Sequence, residues 1–225
     1  MKTLVVIPAH NESAKIAEVI RDLKKFGYHN ILVVDDGSTD NTGKISQKCG
    51  AKVVTHVVNR GLGAGLGTWF EFAKRNGYNC LVTFDGDGQH EAKDIKRLLF
   101  PIQKGVCDVV IGSRLLAQKG MPWQRLIINH ISNFSTLMLY RVRTTDATSG
   151  LRAFGKKALN QIKIKTDRME VSNEFFWEIR RNSLKFLEIP IKAIYTEYSE
   201  KHSHNTASLW QAVYVGKGML LRLFR

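Results

Sequence analysis

Short apolar runs recur through the first half of the chain, and each of them ends in polar residues. The runs lie at Thr3–Pro8, Ile31–Asp35, Lys52–Val58, Cys80–Asp85 and Asp108–Gly112. Uninterrupted runs rich in valine, isoleucine and leucine are typical of strands that are buried on both faces of a parallel sheet. The pattern therefore predicts five strands.

Amphipathic stretches separate these runs. Apolar residues return every three or four positions in Ser13–Phe26, Thr42–Cys49, Gly65–Asn76 and Ala92–Gln103. This spacing predicts helices, and residues 40–42 supply an N-terminal cap for the second of them. Strands that alternate with helices indicate an α/β fold with a mostly parallel sheet and helices on both faces. Ligands of such folds bind beyond the carboxyl ends of the strands.

The second half of the chain is less regular. Its pattern predicts a helix over Trp123–Tyr140, a polar loop over Arg141–Gly155 and a helix over Ser172–Asn182. One or two strands are expected within Leu184–Tyr198, interrupted by Pro190. We find no internal repeat and no linker, and we expect one catalytic domain over residues 1–205.

A final helix is predicted over residues 206–225. Its apolar residues fall on one arc, with Lys217, Arg222 and Arg225 opposite. A basic amphipathic helix can lie in an anionic membrane interface. The pattern is equally compatible with packing against the protein core or a second subunit, so a homo-oligomer is left open.

Charge changes this picture, because it is unevenly distributed. The 225 residues include 34 Lys plus Arg against 20 Asp plus Glu, a formal net charge of +14. Residues 1–112 carry a net charge of +3 and residues 113–225 carry +11. The excess predicts an anionic partner for the second half: nucleic acid, a phosphorylated substrate or an acidic membrane surface.

Composition excludes several classes of protein. With 44% hydrophobic residues the chain is not intrinsically disordered. Its three cysteines are dispersed, which argues against a disulfide framework or a zinc site and is typical of a reducing cytosol. The first apolar run is too short for a signal peptide, and no run has the length of a membrane span. We therefore expect a cytoplasmic protein.

Acidic residues follow three of the predicted strands. Glu12 and Asp36 stand just beyond the first two runs, and Asp85 and Asp87 stand at the end of the fourth. Neighbouring carboxylates repel, and a cation would relieve that cost. The Asp-x-Asp spacing suits Mg²⁺ or Mn²⁺, with Gln89 able to add an amide oxygen, although a turn with solvated acids would have the same pattern. An EF-hand is excluded because its twelfth position is Lys96.

A glycine-rich segment, residues 59–65, follows the third strand and reads Asn-Arg-Gly-Leu-Gly-Ala-Gly. Glycines before a helix allow close approach of a phosphate. The spacing nevertheless matches neither a dinucleotide fingerprint nor a P-loop. Taken alone, the segment indicates only a flexible connection into the helix.

Together, these motifs are more specific than any one of them. Pro-Ala-His-Asn-Glu, Asp-Asp-Gly-Ser-Thr-Asp, Asn-Arg-Gly-Leu-Gly and Asp-Gly-Asp-Gly-Gln-His occur in that order, followed by Gly112-Ser113-Arg114 and by Thr-Ser-Gly-Leu-Arg-Ala-Phe at residues 148–154. The ordered set resembles the family 2 nucleotide-sugar glycosyltransferases, which have the GT-A fold, and within them the dolichyl-phosphate mannose synthase group. The resemblance covers roughly residues 3–200.

The resemblance implies a role for each matching residue. The donor nucleotide-sugar would be bound by Pro8, His10, Glu12, Val34, Asp36, Asp85, Gly86, Asp87 and Arg114. Asp87 and Gln89 would hold the Mg²⁺ or Mn²⁺ ion. The catalytic set would be Asp87, Arg114 and Asp146, and the acceptor or its phosphate would be contacted by Ser149, Arg152 and Lys201.

The nature of the acceptor is less constrained by the motifs. The mannose synthases have a Gly-x-Ser-Lys pattern near residues 198–201, where this chain reads Tyr-Ser-Glu-Lys. A polyprenyl-phosphate acceptor would need cations, for which Arg141, Arg143 and Arg152 are candidates, whereas a hydroxyl acceptor would need a base such as Asp146. We expect an inverting, metal-dependent transfer to a polyprenyl-phosphate-type lipid, at the cytosolic face of the membrane. The alternatives are a saccharide acceptor, a nucleotidyltransferase and a basic nucleic-acid-binding protein; the last lacks a recognised motif, so no nucleic-acid partner is expected.

Overall fold

The computed structural model describes residues 1–57, 62–117, 121–164 and 171–194, with side chains left aside for 62–66 and 171–173. The strands are β1 (Thr3–Ala9), β2 (Ile31–Asp35), β3 (Lys52–Thr55), β4 (Cys80–Thr83), β5 (Val109–Ser113), β6 (Arg152–Phe154) and β7 (Phe186–Pro190). The helices are α1 (Ile16–Lys25), α2 (Thr42–Lys48), α3 (Leu62–Arg75), α4 (Asp94–Gln103), α5 (Trp123–Tyr140), α6 (Lys156–Gln161) and α7 (Val171–Arg181). All the strands and helices predicted within these residues are present.

The seven strands form one sheet in the order β3-β2-β1-β4-β6-β5-β7. Its pairs are parallel except those of β6, which runs antiparallel to both β4 and β5. The predicted α/β fold with a mostly parallel sheet is thus confirmed. Because β6 is reversed, it begins at the edge where β4 and β5 end, so the loop before β6 meets the loops after those strands.

Apolar residues fill both faces of the sheet, as the uninterrupted runs predict. Alternate residues of β1 point to opposite sides: Leu4 and Val6 pack in one buried cluster, Val5 and Ile7 in the other. The first cluster includes residues of α3, α5, α6 and α7, and the second includes residues of α1 and α4. Helices therefore cover both faces.

Several predictions were wrong in detail. The polar loop expected over Arg141–Gly155 contains β6, whose three residues are all buried. The third strand ends at Thr55 instead of Val58, and the fourth ends at Thr83 instead of Asp85. The interruption expected at Pro190 is present, since β7 ends at that residue. Strands of three or four residues give too little periodicity to be recognised or bounded in a sequence.

The loop before α2 is held by Asp40, whereas Asn41, the cap residue of the helix, makes no side-chain hydrogen bond to it. Its carboxylate accepts hydrogen bonds from the amide and hydroxyl of Thr42, at 2.9 and 2.5 Å, and from the amide of Ser13 at 3.1 Å. Burial opposes ionisation of Asp40, but these hydrogen bonds outweigh it and lower its pKa from 3.8 to about 2. Asp40 thus ties the loop after β1 to the loop after β2.

We expect Asp40→Ala to lower the free energy of unfolding by about 1 kcal/mol at neutral pH, the usual cost of losing a cap. Because the pKa of Asp40 is lower in the folded state, its contribution is complete above the ordinary pKa and disappears as the pH falls toward 2. Urea unfolding at pH 7, 5 and 3 should show the difference from the wild type shrinking only at the lowest pH. A difference that grows on acidification would contradict this assignment.

Candidate active site

The loops after β1, β2, β4 and β5 and the loop before β6 meet at one edge of the sheet. The loops after β1 and β2 form one wall, with Pro8 paired in register with Val34. His10 lies over this wall, its Nδ1 placed 3.0 Å from the carbonyl oxygen of Asp36. Glu12 is partly buried, and its amide donates to the hydroxyl of Thr42 at 2.8 Å. The five residues predicted to hold the nucleoside thus share one wall.

The carboxylate of Asp36 is oriented by a histidine that the sequence pattern did not identify. His56 follows β3, and its Nδ1 lies 2.8 Å from the Asp36 carboxylate. Its Nε2 lies 3.3 Å from the hydroxyl of Thr68 in α3. β3 ends at Thr55, and His56, the next residue, faces Asp36 at the end of the neighbouring strand β2. The predicted strand was too long because it included His56.

Asp85 and Asp87 stand on the loop after β4. The side chain of Asp85 lies 2.8 Å from Nε2 of the buried His90. Burial opposes ionisation of Asp85, but the nearby charges of His90, Arg114 and Arg152 hold its pKa below the ordinary value. Asp85 is therefore a fixed anion.

Asp87 differs from Asp85 in its environment. Burial and the neighbouring Asp85 carboxylate raise the pKa of Asp87 to about 6. Its Oδ1 accepts a hydrogen bond from the amide of Gln89 at 2.9 Å, and Gln89 is itself buried. The ionised form of Asp85 is therefore stabilised and that of Asp87 is destabilised. A bound cation would relieve the repulsion between the two carboxylates.

Asp85, Asp87 and Gln89 offer oxygen atoms, the donors that a hard cation prefers. Among the described residues, no three His, Cys, Asp or Glu side chains converge as a complete metal cage. Mg²⁺ and similar ions bind through one or two carboxylates, with water and substrate phosphates supplying the other oxygens. Two carboxylates and an amide in one loop fit that incomplete type of site.

Arg114 follows β5 and is fixed by Asp146. Its Nε and Nη2 donate to the two carboxylate oxygens of Asp146 at 2.8 and 2.7 Å, and its amide donates to Oδ2 at 2.9 Å. Asn129 of α5 donates to the same carboxylate at 2.8 Å. Burial opposes ionisation of Asp146, yet these donors and the charge of Arg114 keep its pKa below the ordinary value. This geometry indicates that Asp146 orients Arg114, and it argues against Asp146 as a general base.

The loop that carries Asp146 is held from both sides. Glu188 of β7 accepts hydrogen bonds from the hydroxyl of Thr144 at 2.6 Å and from the amide of Thr145 at 2.8 Å. Asn133 of α5 donates to the carbonyl of Thr145 at 2.6 Å. Neither Glu188 nor Asn133 stood out in the sequence, because each acts on backbone groups far along the chain.

Ser149 and Arg152 are buried. The Ser149 hydroxyl donates to the carbonyl of Gly112 at 2.5 Å. The Arg152 guanidinium lies 4.4 Å from the ring centre of Phe175 and donates to the carbonyl of Ala147 at 2.9 Å. Burial lowers the pKa of Arg152 to about 10. The structure therefore places both residues beneath the site, while Lys201 and the predicted helix over residues 206–225 lie outside the described residues.

Gly150 faces Asp85 so closely that no side chain fits between them. A Cβ atom built on Gly150 overlaps both carboxylate oxygens of Asp85 and lies 2.6 Å from its Cγ. We therefore expect Gly150→Ala to displace Asp85 from His90 and to lower kcat/KM by about 100-fold, the scale reported for misplacement by roughly an ångström.

The matched control for this change is Gly67→Ala in α3, where the nearest atom to the added Cβ lies 4.0 Å away. A helical glycine-to-alanine change stabilises by about 0.5–1 kcal/mol, so this variant should keep full activity. Steady-state kinetics and thermal unfolding of both variants test the prediction. Unchanged kcat/KM in folded Gly150→Ala would overturn it.

A cavity of about 570 Å³ opens beside Arg114. Its polar wall includes Arg114, Arg143 and Thr145, and its apolar wall includes Leu116, Met121 and Leu126. The cavity is thus lined by both cationic and apolar side chains. Within the described residues, no helix is long and apolar enough to cross a membrane.

Comparison with known proteins agrees with this geometry. The sequence model described as Glycosyl transferase family 2 matches residues 4–163. The chain is 36% identical over 223 residues to the UDP-N-acetylglucosamine–dolichyl-phosphate N-acetylglucosaminyltransferase of Methanococcus voltae, covering 89% of each chain. It is 32% identical over 203 residues to the polyprenol monophosphomannose synthase of Mycolicibacterium smegmatis, covering 84% of this chain and 76% of the relative.

Among solved structures, the chain is similar to glucosyl-3-phosphoglycerate synthase of Mycobacterium tuberculosis in complex with Mn²⁺, UDP-glucose and phosphoglyceric acid. The TM-score is 0.70 at 18% identity, and the match covers 95% of this chain and 78% of that one. At this level of identity the likeness concerns the fold, and it confirms the predicted GT-A architecture.

Proposed function

The chain belongs to Glycosyl transferase family 2, and on that premise we propose that it transfers a sugar from a nucleoside diphosphate donor to the phosphate of a polyprenyl-type lipid. One observation carries the proposal: Arg114, fixed by Asp146, acts on Asp85 of the acidic loop after β4 and also lines a cavity with both cationic and apolar side chains. An amphiphile with an anionic head has that combination of surfaces. Relatives named for dolichyl phosphate and polyprenol support the same acceptor class.

The donor would lie across the wall formed by the ends of β1 and β2. We assign the nucleoside to Pro8, His10, Glu12, Val34 and Asp36, with His56 orienting the Asp36 carboxylate. Asp85 and Gly86 would then border the diphosphate. The donor would be a UDP- or GDP-linked sugar.

Asp87 and Gln89 would hold Mg²⁺ or Mn²⁺ against the donor diphosphate. When bound, the ion supplies charge that offsets the charge developing on the leaving diphosphate. Mn²⁺ accompanies UDP-glucose in the structural neighbour, which supports this assignment. Arg114 adds a fixed cation on the same side of the reacting bond.

The transfer inverts the anomeric carbon in a single displacement. An oxygen of the acceptor phosphate forms the new bond to that carbon as the bond to the donor's β-phosphate oxygen breaks and the nucleoside diphosphate leaves. A phosphate monoester with a second pKa of about 6 is mostly dianionic at neutral pH, so no strong base is required. The protein's task is to position two anions, for which Arg114 and Arg143 are the candidates.

A saccharide acceptor is the competing assignment, and it would require a base to remove the hydroxyl proton. Asp146 was the candidate base, but both of its oxygens accept hydrogen bonds from Arg114, and one also accepts from Asn129. This observation favours the phosphate acceptor. Because a lipid phosphate of this class is met at a membrane, we also infer peripheral association with its cytosolic face.

The experiment is a matrix of donors and acceptors with the purified full chain. UDP-N-acetylglucosamine, UDP-glucose and GDP-mannose are each incubated with Mg²⁺ or Mn²⁺ and a short-chain polyprenyl phosphate, the matching polyprenol or a free saccharide. We expect turnover with the polyprenyl phosphate alone, and its loss in EDTA. Transfer to polyprenol or saccharide at an equal rate would overturn the acceptor assignment.

A further inference from the structure

The outer face of α5 is predominantly apolar. Seven large side chains on it are exposed, by 36% at Leu126 to 67% at Trp123. They are Trp123, Leu126, Ile127, Ile131, Phe134, Leu137 and Met138. At 100° per residue they fall within an arc of about 140°, in which the exposed His130 is the one polar residue of the helix. Isolated exposed apolar residues are normal, but an apolar stripe of this extent marks an interaction surface.

The surroundings of this face are basic. α5 contains no acidic residue, and Arg125, Arg141 and Arg143 lie within it or just after it. The one acidic residue between Asp108 and residue 167 is Asp146, which is buried and paired with Arg114. Within α5 and next to it along the chain, the exposed charge is therefore of one sign, and it attracts an anionic surface.

The apolar stripe is continuous with the cavity beside Arg114. Leu126 belongs to both, since it is exposed on α5 and also lines the cavity. His130 and Asn133 line the same cavity from the next turns of the helix. A lipid whose phosphate binds Arg114 or Arg143 in the cavity could extend past Leu126, at the edge of the stripe.

We propose that the outer face of α5 is the surface by which this protein docks on an anionic lipid bilayer. The proposal rests on the proposed function for the identity of the acceptor, but not for the surface itself. A bilayer meets both features, since its acyl region accepts the seven apolar side chains and its anionic head groups face the arginines. A second copy of the chain would meet only the first, because each copy carries a net charge of +14.

Side chains of α5 outside the stripe connect this surface to the site. Asn129 and Asn133 bind the loop that holds Asp146 and, through it, Arg114. Only this loop and a helix about 10 Å thick would separate Arg114 from the lipid head groups after docking. The acceptor phosphate would then reach the arginine without leaving the interface.

The test compares two exposed phenylalanines. Phe134 on α5 is 59% exposed, and Phe100 on α4, which packs on the other face of the sheet, is 58% exposed. The full-length wild type, Phe134→Glu, the Ile127→Glu/Phe134→Glu double variant and the control Phe100→Glu are sedimented with vesicles of phosphatidylcholine, with or without phosphatidylglycerol. We expect wild type and Phe100→Glu to bind the anionic vesicles equally, and the double variant to bind at least tenfold more weakly.

Three outcomes decide the proposal. Equal vesicle binding by wild type and the double variant would overturn it. A wild-type dimer that the double variant converts to monomer, with vesicle binding unchanged, would assign the face to a second copy and also overturn it. Transfer to a short, water-soluble polyprenyl phosphate is measured in parallel. Vesicle binding by the wild type that is lost in the double variant supports docking. If no donor is turned over in that case, only the proposed function fails.

Discussion

Asp87→Ala is expected to abolish metal-dependent nucleotide binding and to lower kcat by about 1,000-fold or more, the upper range for loss of a group that stabilises leaving-group charge. The structural reason is the environment of the pair. Asp87 is the carboxylate whose pKa is raised to about 6 by burial and by Asp85, so it is the one that gains most from a cation. Asp85 is already stabilised by His90, Arg114 and Arg152.

The measurement is calorimetric titration of UDP and GDP with and without Mn²⁺, followed by transfer kinetics. Asp87→Asn separates charge from size and should behave like the alanine variant. Glu91→Gln is the matched control, because Glu91 lies four residues along the same loop and pairs with Lys93 at 2.8 Å. It should stay within about twofold of wild type, as surface ion pairs contribute little. Metal-dependent nucleotide binding retained by Asp87→Ala would refute the assignment.

Arg114→Lys should lower kcat by about 100- to 1,000-fold while preserving the fold. Lysine keeps the charge but cannot make the paired hydrogen bonds of Nε and Nη2 to Asp146, so the cation is no longer held in place. The matched control is Arg97→Lys, since Arg97 also bonds an aspartate, Asp94, at 3.0 Å but lies on α4 away from the site. That variant should keep full activity.

Asp146→Asn distinguishes the two roles that Asp146 could have. As a positioning residue it should lower kcat by about tenfold, leave the shape of the kcat–pH profile unchanged and leave the donor KM near its wild-type value. As a general base, its loss would cost as much as Arg114→Lys and would remove the acidic limb of the profile. The second result would return Asp146 to the catalytic set and favour a hydroxyl acceptor.

The sequence alone allows most of the sheet and the acidic edge of the site to be predicted. Five apolar runs give the parallel strands directly, and the residues after Pro8, Asp35 and Val82 converge because parallel strands end at one edge. The apolar period of Trp123–Tyr140 likewise predicts α5, though not which of its faces is buried.

What could not be predicted depends on contacts between distant residues. Arg114 and Asp146 are 32 positions apart, and Asp146 and Glu188 are separated by 42. No local pattern encodes such a pair, because its members meet only through the order of the strands. Arg152 illustrates the same limit: a motif places it near the site, while the tertiary packing of Phe175 buries it.

The reversed strand β6 also has a consequence for the order in which the chain can fold. β4 and β5 make no pair with each other, and each pairs with β6 instead. During synthesis, residues 1–113 can therefore align β1 to β4, but β4 keeps an open edge until residue 154 has emerged. Closing that edge brings together segments about 70 positions apart, a slow type of contact to form. We expect hydrogen exchange during refolding to protect the amides of β1 and β2 first. The amides of β5, β6 and β7 should become protected later and together, so the wall formed by the loops after β1 and β2 would form before Arg114 is in place.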